Sequence, residues 1–179
     1  MRSKRARQGK PKLILVLGGA ASGKSQVAME LAGASRSRAF VATGEALDPE
    51  MNERITRHRA SRSSDWTTAE VPVELAQWFT FNKVSYQCVL LDCLTLWLSN
   101  VGQRHGFESV TEKVSQLLKA MRASSARVVV VSNELGMGLV PVGKAVRRFR
   151  DVAGKVNQQV AAEADEVYFV ISGQSLRIK

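Results

Sequence analysis

The sequence predicts an α/β domain, a mostly parallel sheet flanked by helices, and three observations predict it. Apolar, β-prone runs recur along the 179 residues and alternate with stretches whose apolar residues fall at helical spacing. The runs, such as residues 13–17 and 128–131, are continuous rather than alternating, as in parallel strands buried on both faces. The first run breaks at Gly18-Gly19 and resumes after Ser25 with Val27, Ala28, Leu31 and Ala32 on one helical face. It reads strand, loop, helix.

The remaining elements follow in order. Residues 38–44 read as a second short strand ending in a small, polar loop. Asp48-Pro49 supplies an N-cap and an N1 proline for a helix that carries Met51, Arg54, Ile55 and His58 and ends near residues 62–64. A polar stretch through Trp66 and Glu70 leads into an apolar, aromatic segment, 73–81, expected to be helical. Residues 88–92 form a third strand and 94–101 a short helical piece, with His105 left in a loop. Val110, Val114, Leu117, Leu118 and Met121 mark the next helix, and 127–132 is the most strand-like run. A glycine-containing loop at 133–138 closes it. Val146, Phe149, Ala153, Val156 and Val160 mark a long final helix, before a last main strand at 167–171 and an added edge at 176–178. No repeat or linker intervenes. The expected organisation is a basic, disordered tail at 1–12 and one domain at 13–179.

Charge bounds the partners. The formal net charge is +10, but six of the 26 basic residues precede Leu13, leaving 20 against 16 acidic residues beyond it. The folded part is therefore only mildly basic, which suits an anionic nucleotide, and nucleic acid is not the expected partner. No apolar run approaches the roughly 18 to 20 residues of a membrane span, so no membrane partner is expected. Cys88 and Cys93 flank a strand and should point to different places, which excludes a disulfide or a CxxC metal site. Reduced thiols in a cytoplasmic protein are the simple reading.

The chemistry starts at Gly18-x-x-x-x-Gly23-Lys24-Ser25. In a strand–loop–helix setting this spacing is a P-loop. Its glycines let backbone N–H groups turn around a phosphate, Lys24 reaches the outer phosphates, and the Ser25 hydroxyl can meet Mg2+. The positive end of the following helix adds to the attraction, so a nucleoside triphosphate is the expected ligand. Asp92 ends an apolar strand, where it can hold Mg2+ through water together with Ser25, or simply cap the helix that follows. His58 has Arg54 and Arg62 one turn to either side. Neighbouring cations disfavour the imidazolium, so the ring should stay neutral, either as a nucleophile or as a surface histidine. Glu70 is a candidate for ribose or base binding, and the 133–138 loop could close on a substrate. Arg147, Arg148 and Arg150 are read as solvated or paired on their own helix, with an arginine finger as the alternative.

Taken together these segments resemble the bifunctional adenosylcobinamide kinase/adenosylcobinamide-phosphate guanylyltransferase family of cobalamin biosynthesis. The resemblance covers the chain after the basic tail. It rests on the P-loop, on Ala42-Thr43, on Arg54-Ile55 with His58-Arg59, on residues 66–70, on residues 91–95, and on residues 132–141 and 147–158. It implies a RecA-like fold and two reactions. ATP or GTP phosphorylates the aminopropanol hydroxyl of adenosylcobinamide, and GTP then gives GMP to that phosphate through a guanylyl-histidine, which His58 matches. The resemblance carries the family's GTP contacts to Gly18, Gly19, Ala20, Ala21, Ser22, Gly23, Lys24 and Ser25, to Ala42, Thr43 and Gly44, to Arg59, Ala60, Ser61 and Arg62, and to Glu70 and Asp92. It also implies a homotrimer with the site between subunits. The chain departs from the family pattern in reading Arg62-Ser63-Ser64 where many members have a proline, and in Ala21, often arginine elsewhere. From the P-loop alone, a RecA-type ATPase acting on nucleic acid and a plain small-molecule kinase remain open. Neither has a use for a histidine nucleophile.

Overall fold

The computed structural model describes residues 12–46, 48–60 and 65–179, with the side chains of Arg54, His58 and Ala60 outside the description. The disordered tail expected at 1–12 lies outside it apart from Lys12. Seven strands form one sheet: β1 (Leu13–Gly18), β2 (Arg38–Ala42), β3 (Trp66–Glu70), β4 (Cys88–Asp92), β5 (Arg127–Asn133), β6 (Glu166–Ile171) and β7 (Gln174–Arg177). Their order is β3-β2-β4-β5-β1-β6-β7, parallel throughout except for β7, which pairs antiparallel with β6. The helices are α1 (Lys24–Ala32), α2 (Pro49–Ala60), α3 (Leu75–Phe81), α4 (Leu94–His105), α5 (Val110–Ala123) and α6 (Lys144–Glu163).

The continuous apolar runs are explained by two cores, one on each face of the sheet. Leu13, Leu15 and Leu17 pack with Val89, Leu91, Val128 and Val130 against α3 to α6, through residues such as Phe79, Trp97, Leu117 and Val156. The alternate positions Ile14, Val16, Leu90, Val129 and Val131 pack on the other face against Val27, Ala28 and Ala32 of α1. Burying both faces leaves no polar alternation in β1, β4 or β5. Among the described residues α2 supplies nothing to either core. Asp48 caps it as expected, with its Oδ1 accepting the Met51 N–H at 2.7 Å.

Three expectations need correction. Residues 66–70, read as a polar stretch, are the edge strand β3; only Trp66 is buried there, so the segment has almost no hydrophobic signature. The helix expected at 94–101 runs on to His105, which is its last residue rather than a loop residue. Gly106 ends that helix, donating its N–H to Gly102 O at 3.1 Å. Cys88 and Cys93 share one core instead of pointing to different places, because Cys93 lies past the end of β4, where strand alternation no longer applies. Both are free thiols. Burial pushes the Cys88 thiol up to about 11, and burial with the adjacent Asp92 carboxylate does the same to Cys93. Both therefore stay protonated at pH 8. Native protein should resist a thiol-specific reagent at that pH and react at two sites once unfolded in guanidinium, as mass spectrometry would show.

A buried polar network fixes the carboxyl end of β5. The Ser132 hydroxyl donates to Asn157 Oδ1 at 2.7 Å, Asn157 Nδ2 donates to Asn133 O at 3.0 Å, and the Asn133 N–H donates to Thr95 Oγ1 at 2.8 Å. Asn157 is 5% exposed, so Asn157→Ala would remove two hydrogen bonds of this network and leave the Ser132 hydroxyl with Thr95 Oγ1, at 3.2 Å, alone. The expected cost is about 2 kcal/mol, seen as a melting temperature lower by roughly 4–8 °C for a chain of this size.

Candidate active site

Parallel pairing brings the carboxyl ends of β2, β3, β4, β5 and β1 to one edge of the sheet, where α/β folds place their ligands. Register aligns Glu70, Ala42, Asp92 and Val131 in one row across β3, β2, β4 and β5. The P-loop leaves β1 on the same edge. Gly18 is required there, since a Cβ would stand 2.5 Å from Ser22 Oγ and 2.7 Å from Val170 O. Gly23 has φ +90, and a Cβ on it would lie 3.2 Å from Gly173 Cα. The loop is tied down by the Gly173 N–H, which donates to Ser22 O at 2.8 Å. The Ser22 hydroxyl is buried and has no hydrogen-bond partner among the described residues. A loop that keeps its backbone bare of side chains and holds an unbonded buried hydroxyl fits a polyphosphate.

Beside the loop lies a cavity of about 540 Å³, the size of a small-molecule site. One end holds Lys24, Ser25 and Asp92; the other is walled by Met51, Asn52, Ile55 and Arg59 of α2, with Glu70 on the β3 side. Ser25 Oγ donates to Asp92 Oδ2 at 2.9 Å, which joins the P-loop to the end of β4. Lys24 Nζ donates to Gly19 O at 2.8 Å, folded over the loop it follows. Arg59 is ion-paired with Glu70 across the cavity mouth. Phe40, Met51, Ile55 and Leu96 give the cavity apolar walls, suited to a flat base. A hydroxyl and a carboxylate oxygen side by side, with phosphate oxygens and water completing the shell, are hard donors that suit Mg2+.

Of the expected site residues, Lys24, Ser25, Ala42, Gly44, Arg59, Glu70 and Asp92 line this cavity, whereas Gly19, Ala20, Ala21 and Ser22 line the opposite flank of the loop. Gly18 and Gly23 shape the loop from beneath. Thr43 is fully buried, and its hydroxyl accepts the Cys93 N–H at 2.9 Å and donates to Cys93 O at 2.7 Å. It clamps β2 to β4 and so fixes Ala42 and Gly44 on either side of it. His58 and Ala60 lie on α2 within the helix that walls the cavity. Ser61 and Arg62 are outside the described residues.

The arginines of α6 have structural partners. Arg147 donates to Pro141 O at 2.9 Å, Arg148 lies over the Phe107 ring at 5.5 Å, and Arg150 approaches Asp151 at 3.7 Å. Leu96, Phe40 and Glu45 were not anticipated as site residues. Met51 and Ile55 carried a legible signal, being apolar at helical spacing on an otherwise charged helix that joins neither core.

No described helix is long and apolar enough to cross a membrane. The fold is similar to that of the RadB recombinase, at TM-score 0.51 and 16% identity, over 89% of this chain and 74% of that one, which supports the P-loop, RecA-like architecture. The chain is 38% identical to the bifunctional adenosylcobalamin biosynthesis protein CobU of Salmonella typhimurium, over 93% of this chain and 99% of that protein. It is 39% identical to the corresponding CobP protein of Pseudomonas aeruginosa, over 92% of this chain and 96% of that protein. The model of the cobinamide kinase/cobinamide phosphate guanyltransferase family matches residues 14–178. With that match, these identities and the P-loop geometry together, the chain belongs to the cobinamide kinase/cobinamide phosphate guanyltransferase family.

Proposed function

We propose that one P-loop serves both reactions of this bifunctional enzyme, and that His58 is the residue that carries GMP between them. In the first reaction the terminal phosphate of ATP or GTP passes to the aminopropanol hydroxyl of adenosylcobinamide. In the second, GTP binds with its β- and γ-phosphates on the P-loop and its guanosine toward α2. A neutral imidazole nitrogen of His58 attacks the α-phosphorus, the bond from that phosphorus to the bridging oxygen breaks, and pyrophosphate leaves. The phosphate of adenosylcobinamide phosphate then attacks the same phosphorus, releasing His58 and forming adenosylcobinamide-GDP.

The observation that carries this reading is the cavity itself, which spans from Lys24, Ser25 and Asp92 at one end to the helix bearing His58 at the other. Lys24 and the loop amides would hold the charge that develops on the departing pyrophosphate. Ser25 and Asp92 would hold Mg2+, which supplies further charge neutralisation when bound. The apolar walls and Glu70 would receive guanosine, with the Arg59–Glu70 pair opening to admit it.

A homotrimer is part of this reading. Leu139 is 96% exposed and Val142 97% exposed, with Val140 also exposed, an apolar stretch between β5 and α6 that a neighbouring copy would cover. A cytoplasmic setting accords with the reduced, buried thiols. The reading is tested by incubating the protein with Mg2+ and GTP labelled at the α-phosphate, and following acid-labile, base-stable label on the polypeptide.

A further inference from the structure

We propose that the protein has a second nucleoside site on the opposite flank of the P-loop, and that this site seats the nucleoside of the triphosphate that donates phosphate in the kinase reaction. The inference rests on the bifunctional reading given above. A cleft of about 360 Å³ lies there, lined by residues 19–22 of the loop and by Glu134, Phe169, Ile171 and Ser172. It shares no lining residue with the main cavity. The sheet order explains the separation: β1 stands between β5 and β6, so the loop leaving it has the main cavity toward β4 and this cleft toward β6.

Size and chemistry select the occupant. The cleft is far too small for a corrin ring, but its volume is that of a base with its ribose. Phe169, Val170 and Ile171 offer apolar walls. Glu134 accepts the Gly136 N–H on Oε1 at 2.6 Å, and a carboxylate held there suits a ribose hydroxyl. The walls carry few groups able to read a base edge, so donor nucleotides differing in base should be accepted alike.

The backbone is also shaped for a ligand. Ala21 (φ 53) and Ser172 (φ 50) are the non-glycine residues with positive φ among the described residues, and both line this cleft. Backbone held in that region collects at ligand sites, where surrounding structure maintains it. Here the Gly173-to-Ser22 hydrogen bond ties the two rims together.

Following the loop from residue 19 to residue 25 gives the direction of the bound chain. A triphosphate with its nucleoside in the cleft points its terminal phosphate toward Lys24, Ser25 and Asp92, into the main cavity where the acceptor hydroxyl enters. GTP with its guanosine in the main cavity lies the other way round, with its α-phosphate toward α2. Each orientation presents the phosphorus that its own reaction needs.

The test uses Ile171, 57% exposed at the end of β6, replaced by Trp to fill the cleft, with Val84→Trp as a control at an exposed residue that lines neither cavity. The full-length variants are assayed for phosphate transfer from ATP to cobinamide and, separately, for labelling of the protein by α-labelled GTP. Ile171→Trp should raise KM for ATP by about tenfold or more and change protein labelling by less than about twofold, while Val84→Trp stays close to wild type in both. Intact labelling reports that the variant is folded. An unchanged KM for ATP, an equal loss of both activities, or a rise confined to KM for cobinamide would each overturn the second site. If wild-type protein shows neither reaction, the bifunctional reading itself fails.

Discussion

Replacing His58 by alanine should abolish covalent labelling of the protein by GTP and leave phosphate transfer to cobinamide close to wild type. The prediction follows from position. Position 58 lies one helical turn beyond Ile55 and next to Arg59, both of which wall the cavity, whereas Lys24, Ser25 and Asp92 stand at its other end. A kinase step needs only the P-loop end. The guanylyl step needs a nucleophile at the α2 end, and removing a nucleophile lowers its own reaction by several orders of magnitude. Because the described side chains of α2 contribute to neither core, the substitution should cost little stability, and thermal melting beside wild type would check that. Equal loss of both activities in a folded His58→Ala protein would mean that His58 serves the P-loop chemistry instead.

Replacing Lys24 by alanine should have the opposite signature, lowering both reactions by about 100-fold or more. Both transfers build negative charge on phosphate oxygens over the same loop, and Lys24 already lies against that loop through its bond to Gly19 O at 2.8 Å. Lys24→Arg should recover little, since a planar fork does not replace a compact ammonium in a cradle of backbone amides. The measurement is kcat/KM for the two half-reactions on one preparation. A Lys24→Ala protein that lost only one of them would break the claim that they share the P-loop.

The sequence reading reached the parts of the fold whose physics is local. A continuous β-branched run such as residues 128–131 reads as a strand buried on both faces, Gly18 sits where a Cβ would clash, and Gly23 takes a positive φ that strains other residues. β3 escaped because it is an edge strand with one buried residue, so its pairing with β2 is visible only in three dimensions. The last turn of α4 escaped because Gln103 and Arg104 are solvent-facing and carry no apolar period; Arg104 is instead held by Glu45, at 2.5 Å and 59 residues away.

The site divides in the same way. The P-loop end of the cavity could be read from spacing, since Ser25 stands in the first turn of α1 and Asp92 at the end of β4, and the fold brings them within 2.9 Å. What a motif position does not reveal is shown by Thr43, whose hydroxyl forms the β2–β4 clamp on either side of which Ala42 and Gly44 line the cavity. The apolar wall formed by Phe40 and Leu96 depends on how β2 and α4 approach each other, which no local pattern encodes. The same holds for the cleft on the β6 side of the P-loop, whose rims come from residues 150 positions apart.

The central claim, that GMP passes through His58, is tested most directly by locating the adduct. Protein incubated with Mg2+ and GTP, then digested under basic conditions that preserve a phosphoramidate, should yield a peptide containing residue 58 whose mass is increased by one guanylyl group, with fragmentation placing that group on the imidazole. A guanylyl group on any other residue, or an unmodified peptide from protein that has demonstrably formed adenosylcobinamide-GDP, would contradict it.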